Sequence, residues 1–129
     1  MKRIVLCFLF PLLLSGTVSV FSSEKIDTGV YLIVDITVRD REIYQRYIEQ
    51  AAPIVLRHGG QYLVRGGTVI SLAGGWKPER LVVIEFPDRA SLEACFSSPE
   101  YRKILPLREQ STVSRAVIVE GCFLTPENP

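Results

Sequence analysis

The chain has 129 residues, enough for one ordinary domain and too few for two. Its 15 basic and 14 acidic residues give a formal charge of +1, which leaves no electrostatic footprint for nucleic acid, and no nucleic-acid partner is expected. Its one histidine stands without a cysteine or carboxylate cluster at ligand spacing, so neither a metal nor a cofactor is expected.

The first element is a leader. Lys2 and Arg3 precede an apolar run from Ile4 to Leu14 broken only by Pro11, and small polar residues follow from Ser15. That is the pattern of a secretory signal peptide. Residues 1–22 are expected to send the protein to the periplasm or outside the cell, with cleavage after Ser19 or Ser22. The uncharged stretch Ile4 to Ser23 is nominally long enough to cross a bilayer, so an anchor over residues 4–23 is the alternative. Its second half is small and polar, which favours cleavage and no stable membrane association afterwards. Loss of Lys2 and Arg3 leaves 13 basic residues against 14 acidic ones, a formal charge of −1. Cys95 and Cys122 survive cleavage and read either as two small buried hydrophobes or as a pair that export would permit to join.

After a polar linker over residues 23–29, Val30 to Thr37 is dense in β-branched and aromatic residues and reads as a strand. Asp40 is a good N-cap for a helix in which Tyr44, Tyr47, Ile48, Ala51, Ile54 and Val55 recur at helical spacing, with Pro53 expected to kink or restart it and Gly59 to end it. Gln61 to Arg65 and Thr68 to Leu72 read as two strand pieces interrupted by a bulge or bend at Gly66-Gly67. A turn around Gly74-Gly75-Trp76 then leads to a strand over Arg80 to Phe86. Pro87-Asp88 starts a second helix with Leu92, Cys95 and Phe96 as its apolar stripe, and Ser98-Pro99 caps a further short one. Val113 to Glu120 is the last strand, and residues 122–129 are a loose tail.

Strand, helix, strand, strand, helix, strand is the split βαβ order of an α+β, ferredoxin-like domain over residues 30–121: an antiparallel four-stranded sheet with its helices on one face. Both faces of the strands are apolar. Leu32, Val34 and Ile36 point one way and Tyr31 and Ile33 the other; Val82, Ile84 and Phe86 oppose Leu81 and Val83. The helices cover one face only, so a second copy of the sheet is the natural cover for the other, and a homodimer is expected.

Several ordered segments carry a resemblance: His58-Gly59-Gly60, Arg65-Gly66-Gly67, Trp76 with Pro78 and Arg80, Val82 to Pro87, Ser98-Pro99-Glu100-Tyr101 and Val119-Glu120-Gly121. With them the chain resembles the bacterial domain-of-unknown-function 1330 family, one of the dimeric α/β barrels. The resemblance implies the same fold and dimer and no established general activity. The chain departs from the family pattern at Ala73, where an acidic residue is common, and at Cys95-Phe96, which replaces a more aromatic pair.

Polar residues inside apolar strands are the candidate chemistry, because a buried charge must be paired or used. Asp35, Glu85, Arg65 and Arg80 are of this kind. If the register puts them on one face, Arg65 and Arg80 would hold a carboxylate or enolate while Glu85 or Asp35 acts as base. The competing reading is a structural ion-pair network at the dimer face. His58 is either a general base or a helix-end residue interacting with the last carbonyls. Tyr44 and Tyr47 read as core or pocket wall, and Tyr101 with Arg108 as a pocket mouth. The function expected is binding of a small organic anion between sheet and helices. The alternatives are a cofactor-free enzyme of the oxygenase or isomerase type, by analogy with related barrels, and a purely structural dimer.

Overall fold

Asp40 at its start and Gly59 at its end bound the first helix. The computed structural model describes residues 29–121, in which β1 (Val30–Val38) leads into α1 (Arg41–Arg57). The Asp40 carboxylate accepts from the backbone N–H of Ile43 at 2.9 Å, satisfying one of the orphan donors of the first turn. Pro53 does not restart this helix, which runs through it unbroken. It is exposed, as is Glu49 four residues before it, so the carbonyl that loses its partner lies on the solvent side. Gly59, at φ +80°, ends the helix, and the N–H of Gly60 returns to the Val55 carbonyl at 2.9 Å. A Cβ on Gly60 would lie 2.6 Å from Val55 Cγ1 and 2.8 Å from the Phe86 ring, so glycine here also permits the close approach of chain and core.

The remaining elements are β2 (Gln61–Arg65), β3 (Arg80–Phe86), α2 (Arg89–Ser97), α3 (Pro99–Ser111) and β4 (Thr112–Glu120). The four strands form one antiparallel sheet in the order β2-β3-β1-β4, the ferredoxin-like arrangement. The core lies on one face of it. Val30, Val34 and Ile36 with Val82, Ile84 and Phe86 meet Tyr44, Ala51, Ile54 and Val55 of α1, Leu92 and Cys95 of α2, and Tyr101 and Ile104 of α3. Burial pushes the Cys95 thiol up to about 11, so it stays protonated; Cys122, its candidate partner, lies outside the described residues. Among the described residues no helix is long and apolar enough to cross a membrane.

Two expectations are corrected. Thr68 to Leu72 is not a strand. Gly66 and Gly67, at φ +76° and +135°, turn the chain off the sheet, and Ile70 and Leu72 are 84% and 99% exposed, so the side they would share as a strand has no surface to pack on. The irregularity lies earlier, at Leu63: Tyr62 pairs with Ile84 and Val64 with Val83, leaving Leu63 as the extra residue. Also, the helix begun at Ser98-Pro99 is not short. It runs 13 residues through Pro106, which is exposed on its solvent side.

Candidate functional site

Directly paired residues in an antiparallel sheet share a face, and the register sorts the candidate residues accordingly. Arg80 pairs with Ile36 and Arg65 with Val82, which puts both arginines on the helix-covered face. The bulge at Leu63 is what sends Arg65 there, because it places Tyr62 and Arg65, three residues apart, on one side of the strand. Asp35 pairs with Leu81 and Arg115, and Glu85 with Tyr31 and Gln61, all on the opposite, open face. The arrangement of Arg65 and Arg80 beside a carboxylate base is therefore not formed.

On the helix side the sheet, α1 and α3 enclose a cleft lined by Arg65, Arg80, Arg108, Tyr44, Tyr47, Tyr62, Tyr101 and the apolar side chains of β1 and β3, with no aspartate or glutamate among its lining residues. Its enclosed free volume is about 50 Å³, space for a few waters or a compact ligand head. Arg80 lies across the Tyr44 ring, its Cζ 5.6 Å from the centroid, and its Nη2 donates to the Arg65 carbonyl at 3.1 Å. The guanidinium fills the space a side chain at Gly66 would need, since a Cβ there would lie 2.5 Å from Nη1. Arg80 Nε is buried and has no hydrogen-bond acceptor. Arg65 stacks on Tyr62 with its Cζ 4.8 Å from the ring and donates to the Ile48 carbonyl at 3.2 Å.

Farther along, the Tyr47 and Tyr101 hydroxyls are 2.9 Å apart, and Arg108 Nη1 donates to the Tyr101 hydroxyl at 3.2 Å. Burial, reinforced by the neighbouring Tyr101, holds the Tyr47 phenol well above its ordinary value even though Arg108 opposes the shift. Burial likewise pushes Tyr62 up to about 12 despite the opposing Arg65 charge. Both phenols are hydrogen-bond donors at neutral pH rather than bases.

The other candidates stand elsewhere. Glu85 accepts from the Tyr31 hydroxyl at 3.0 Å. Asp35 accepts from Arg115 at 2.6 Å and from the Trp76 indole at 3.1 Å, and those two bonds hold its carboxyl below the usual value. His58 caps α1, its Nδ1 donating to the Ile54 carbonyl at 2.9 Å. Among the described residues no group of three His, Cys, Asp or Glu side chains could hold a metal ion.

Two consequences are open to measurement. Because Glu85 faces away from both arginines, Glu85→Gln should strand no buried cation; thermal melts are expected to agree with wild type within about 2 °C. The depressed Asp35 value means its contribution to stability is fully present above the unfolded carboxylate value of ~3.9 and is lost as pH falls through the lower folded value. Asp35→Asn should accordingly flatten the acid limb of a melting-temperature profile and leave its alkaline limb in place.

Tyr62, Thr112 and Ser114 are lining residues that sequence reasoning missed, and no pattern in the chain announces the bulge that aims Tyr62. Arg115 was missed as the partner of Asp35, although the alternation of Val113, Arg115 and Val117 marks it as an isolated charge on an apolar strand face.

The fold has solved counterparts, all distant enough in sequence to speak for architecture alone. A protein of unknown function from Rhodopseudomonas palustris is 19% identical with a TM-score of 0.65, the match covering 75% of this chain and 85% of that one. SnoaB, a cofactor-independent oxygenase from Streptomyces nogalater, is 17% identical with a TM-score of 0.54, over 78% and 99%. A dimeric ferredoxin-like protein of unknown function from Thermobifida fusca is 18% identical with a TM-score of 0.53, over 72% and 91%. No curated protein is significantly similar to the chain in sequence. Residues 29–122, which take in the whole sheet and its helices, match the DUF1330 family, a domain of unknown function, and the chain belongs to that family.

Proposed function

We propose that this protein is an exported homodimer that binds a small organic anion in the cleft between sheet and helices. The observation that carries the reading is the charge of the cleft: three arginines line it, no carboxylate does, and the buried Nε of Arg80 lacks an acceptor. Arg80 is half-buried, but its Nε–H is sealed from water without an acceptor and bears a desolvation cost that an anionic ligand relieves. The clustered tyrosines add apolar surface for the body of that ligand.

Binding is favoured over catalysis by the same geometry. A cofactor-free oxygenase or isomerase needs a base beside its substrate, and Glu85, Asp35 and His58 all lie away from the cleft, while Tyr47 and Tyr62 hold their protons. The homodimer rests on the open sheet face, where Ile33, Leu81 and Val83 are only partly covered and Val113, Val117 and Val119 are exposed, and on the description of one structural neighbour as dimeric.

Calorimetric titration with small monocarboxylates and with the corresponding amides tests the binding. Carboxylates are expected to bind with an affinity that falls as salt rises, and the neutral amides to bind far more weakly; equal affinity for both would remove the charge argument. Export rests on the leader sequence, and the protein recovered from its producing cell should have an intact mass lacking the first 19–23 residues. Full-length chain in the cytosol would contradict it.

A further inference from the structure

The cleft has two donor ends, and they differ in kind. At one, Arg80 and Arg65 supply cationic N–H groups, of which the buried Arg80 Nε has no acceptor. At the other, two phenols and one guanidinium meet. Tyr47 and Tyr101 share a single hydrogen bond of 2.9 Å, and Arg108 occupies a lone pair of the Tyr101 oxygen. Two phenols bring two protons, and that one bond uses only one of them. If Tyr101 donates to Tyr47, the Tyr47 proton is left over; if Tyr47 donates, the Tyr101 proton is. Among the described residues neither hydroxyl has a further acceptor. The Tyr44 ring neighbours both ends, 6.1 Å from the Tyr47 ring and 5.6 Å from Arg80 Cζ.

Resting on the anion-binding reading above, we propose that the ligand is a compact oxo acid: a carboxylate held by Arg80 and Arg65, and a neutral carbonyl oxygen that accepts the spare phenol proton of the Tyr47–Tyr101 pair. A carbonyl suits this end because the group left over there is a proton, which needs an acceptor, and because the raised Tyr47 value keeps the phenol protonated. The small enclosed volume, about 50 Å³, favours a short-chain acid over an extended one. Tyr47 and Tyr101 are then specificity residues: a site built to hydrogen-bond a ligand oxygen discriminates against the analogue that lacks it, whose binding leaves the buried donor unpaired.

The test compares pyruvate, 2-oxobutyrate and acetoacetate with propionate and butyrate, by calorimetric titration of the purified protein and of a Tyr47→Phe/Tyr101→Phe double variant. At least one oxo acid is expected to bind wild type about tenfold more tightly than the alkyl acid of equal length, the worth of one hydrogen bond in a buried site. In the double variant that ratio should collapse toward one while the alkyl acid keeps its affinity. Alkyl and oxo acids binding wild type equally would overturn the oxo-acid assignment and leave the anion site standing. No binding of any acid would overturn both. Should the double variant melt early, the single Tyr47→Phe and Tyr101→Phe proteins serve instead, and a ratio unchanged in both would count against the assignment.

Discussion

Val117→Lys is expected to convert the protein from a dimer to a monomer without unfolding it. Val117 pairs with Ile33, and Ile33 with Val83, so the three form one apolar row across β4, β1 and β3 on the face the helices leave open. Val117 is 57% exposed in the single chain, so a lysine there is tolerated by the isolated fold and even suits the edge strand it occupies. In a face-to-face dimer the same lysine, present once in each copy, must lose its water against an apolar partner. An unpaired charge in that position costs several kcal/mol, at least about a thousandfold in dimer dissociation constant. Sedimentation equilibrium at about 10 μM, where a stable interface of ordinary size holds, should give a dimer for wild type and a monomer for the variant. A monomeric wild type would remove the covered-face argument altogether; a dimeric variant would move the interface elsewhere.

The second large effect is expected at Arg80. Arg80→Met keeps an unbranched stem in contact with Tyr44 and removes the guanidinium, including its buried unpartnered Nε and the 3.1 Å bond to the Arg65 carbonyl. Charge-assisted hydrogen bonds are worth about 1.5–3 kcal/mol, so carboxylate affinity should fall by about a hundredfold. Stability should not follow it down. Arg80 is half-buried and forms no ion pair among the described residues, so an apolar side chain in its place breaks no salt bridge and melting should stay near the wild-type value. If instead Arg80→Met melts much earlier and binding to the refolded fraction is unchanged, Arg80 serves the fold and not a ligand.

The architecture was legible because independent local signals agreed. The Asp40, Asp88 and Ser98 caps, the helical spacing of Tyr44 to Val55 and the β-branched, apolar composition of the strands each pointed to the same βαββαβ order. The ligand-side candidates Arg65, Arg80, Tyr47, Tyr101 and Arg108 all line one cleft, yet their grouping depends on the extra residue at Leu63, since a one-residue shift sends a side chain to the other face. Nothing in the composition of Gln61 to Arg65 announces that shift. Glu85 is a different case. It lies five residues after Arg80 in one regular strand, an odd spacing that already places the two on opposite faces, so their separation was readable from alternation alone. Thr68 to Leu72 misled because β-propensity records fitness for a half-buried surface, and the two glycines before it carry the segment away from any such surface.

The most direct measurement is the nitrogen–proton correlation of the arginine Nε groups during titration with a short-chain carboxylate such as acetoacetate, with the Arg80 signal identified by its loss in Arg80→Met. Arg80 Nε, buried and without an acceptor, should move to the position of a hydrogen-bonded donor and saturate with the binding curve. Arg115, engaged with Asp35 on the open face, should stay where it is. An Arg80 signal that remains fixed while Arg115, or any arginine other than Arg65 and Arg108, follows the titration would place the anion outside the cleft and contradict the account.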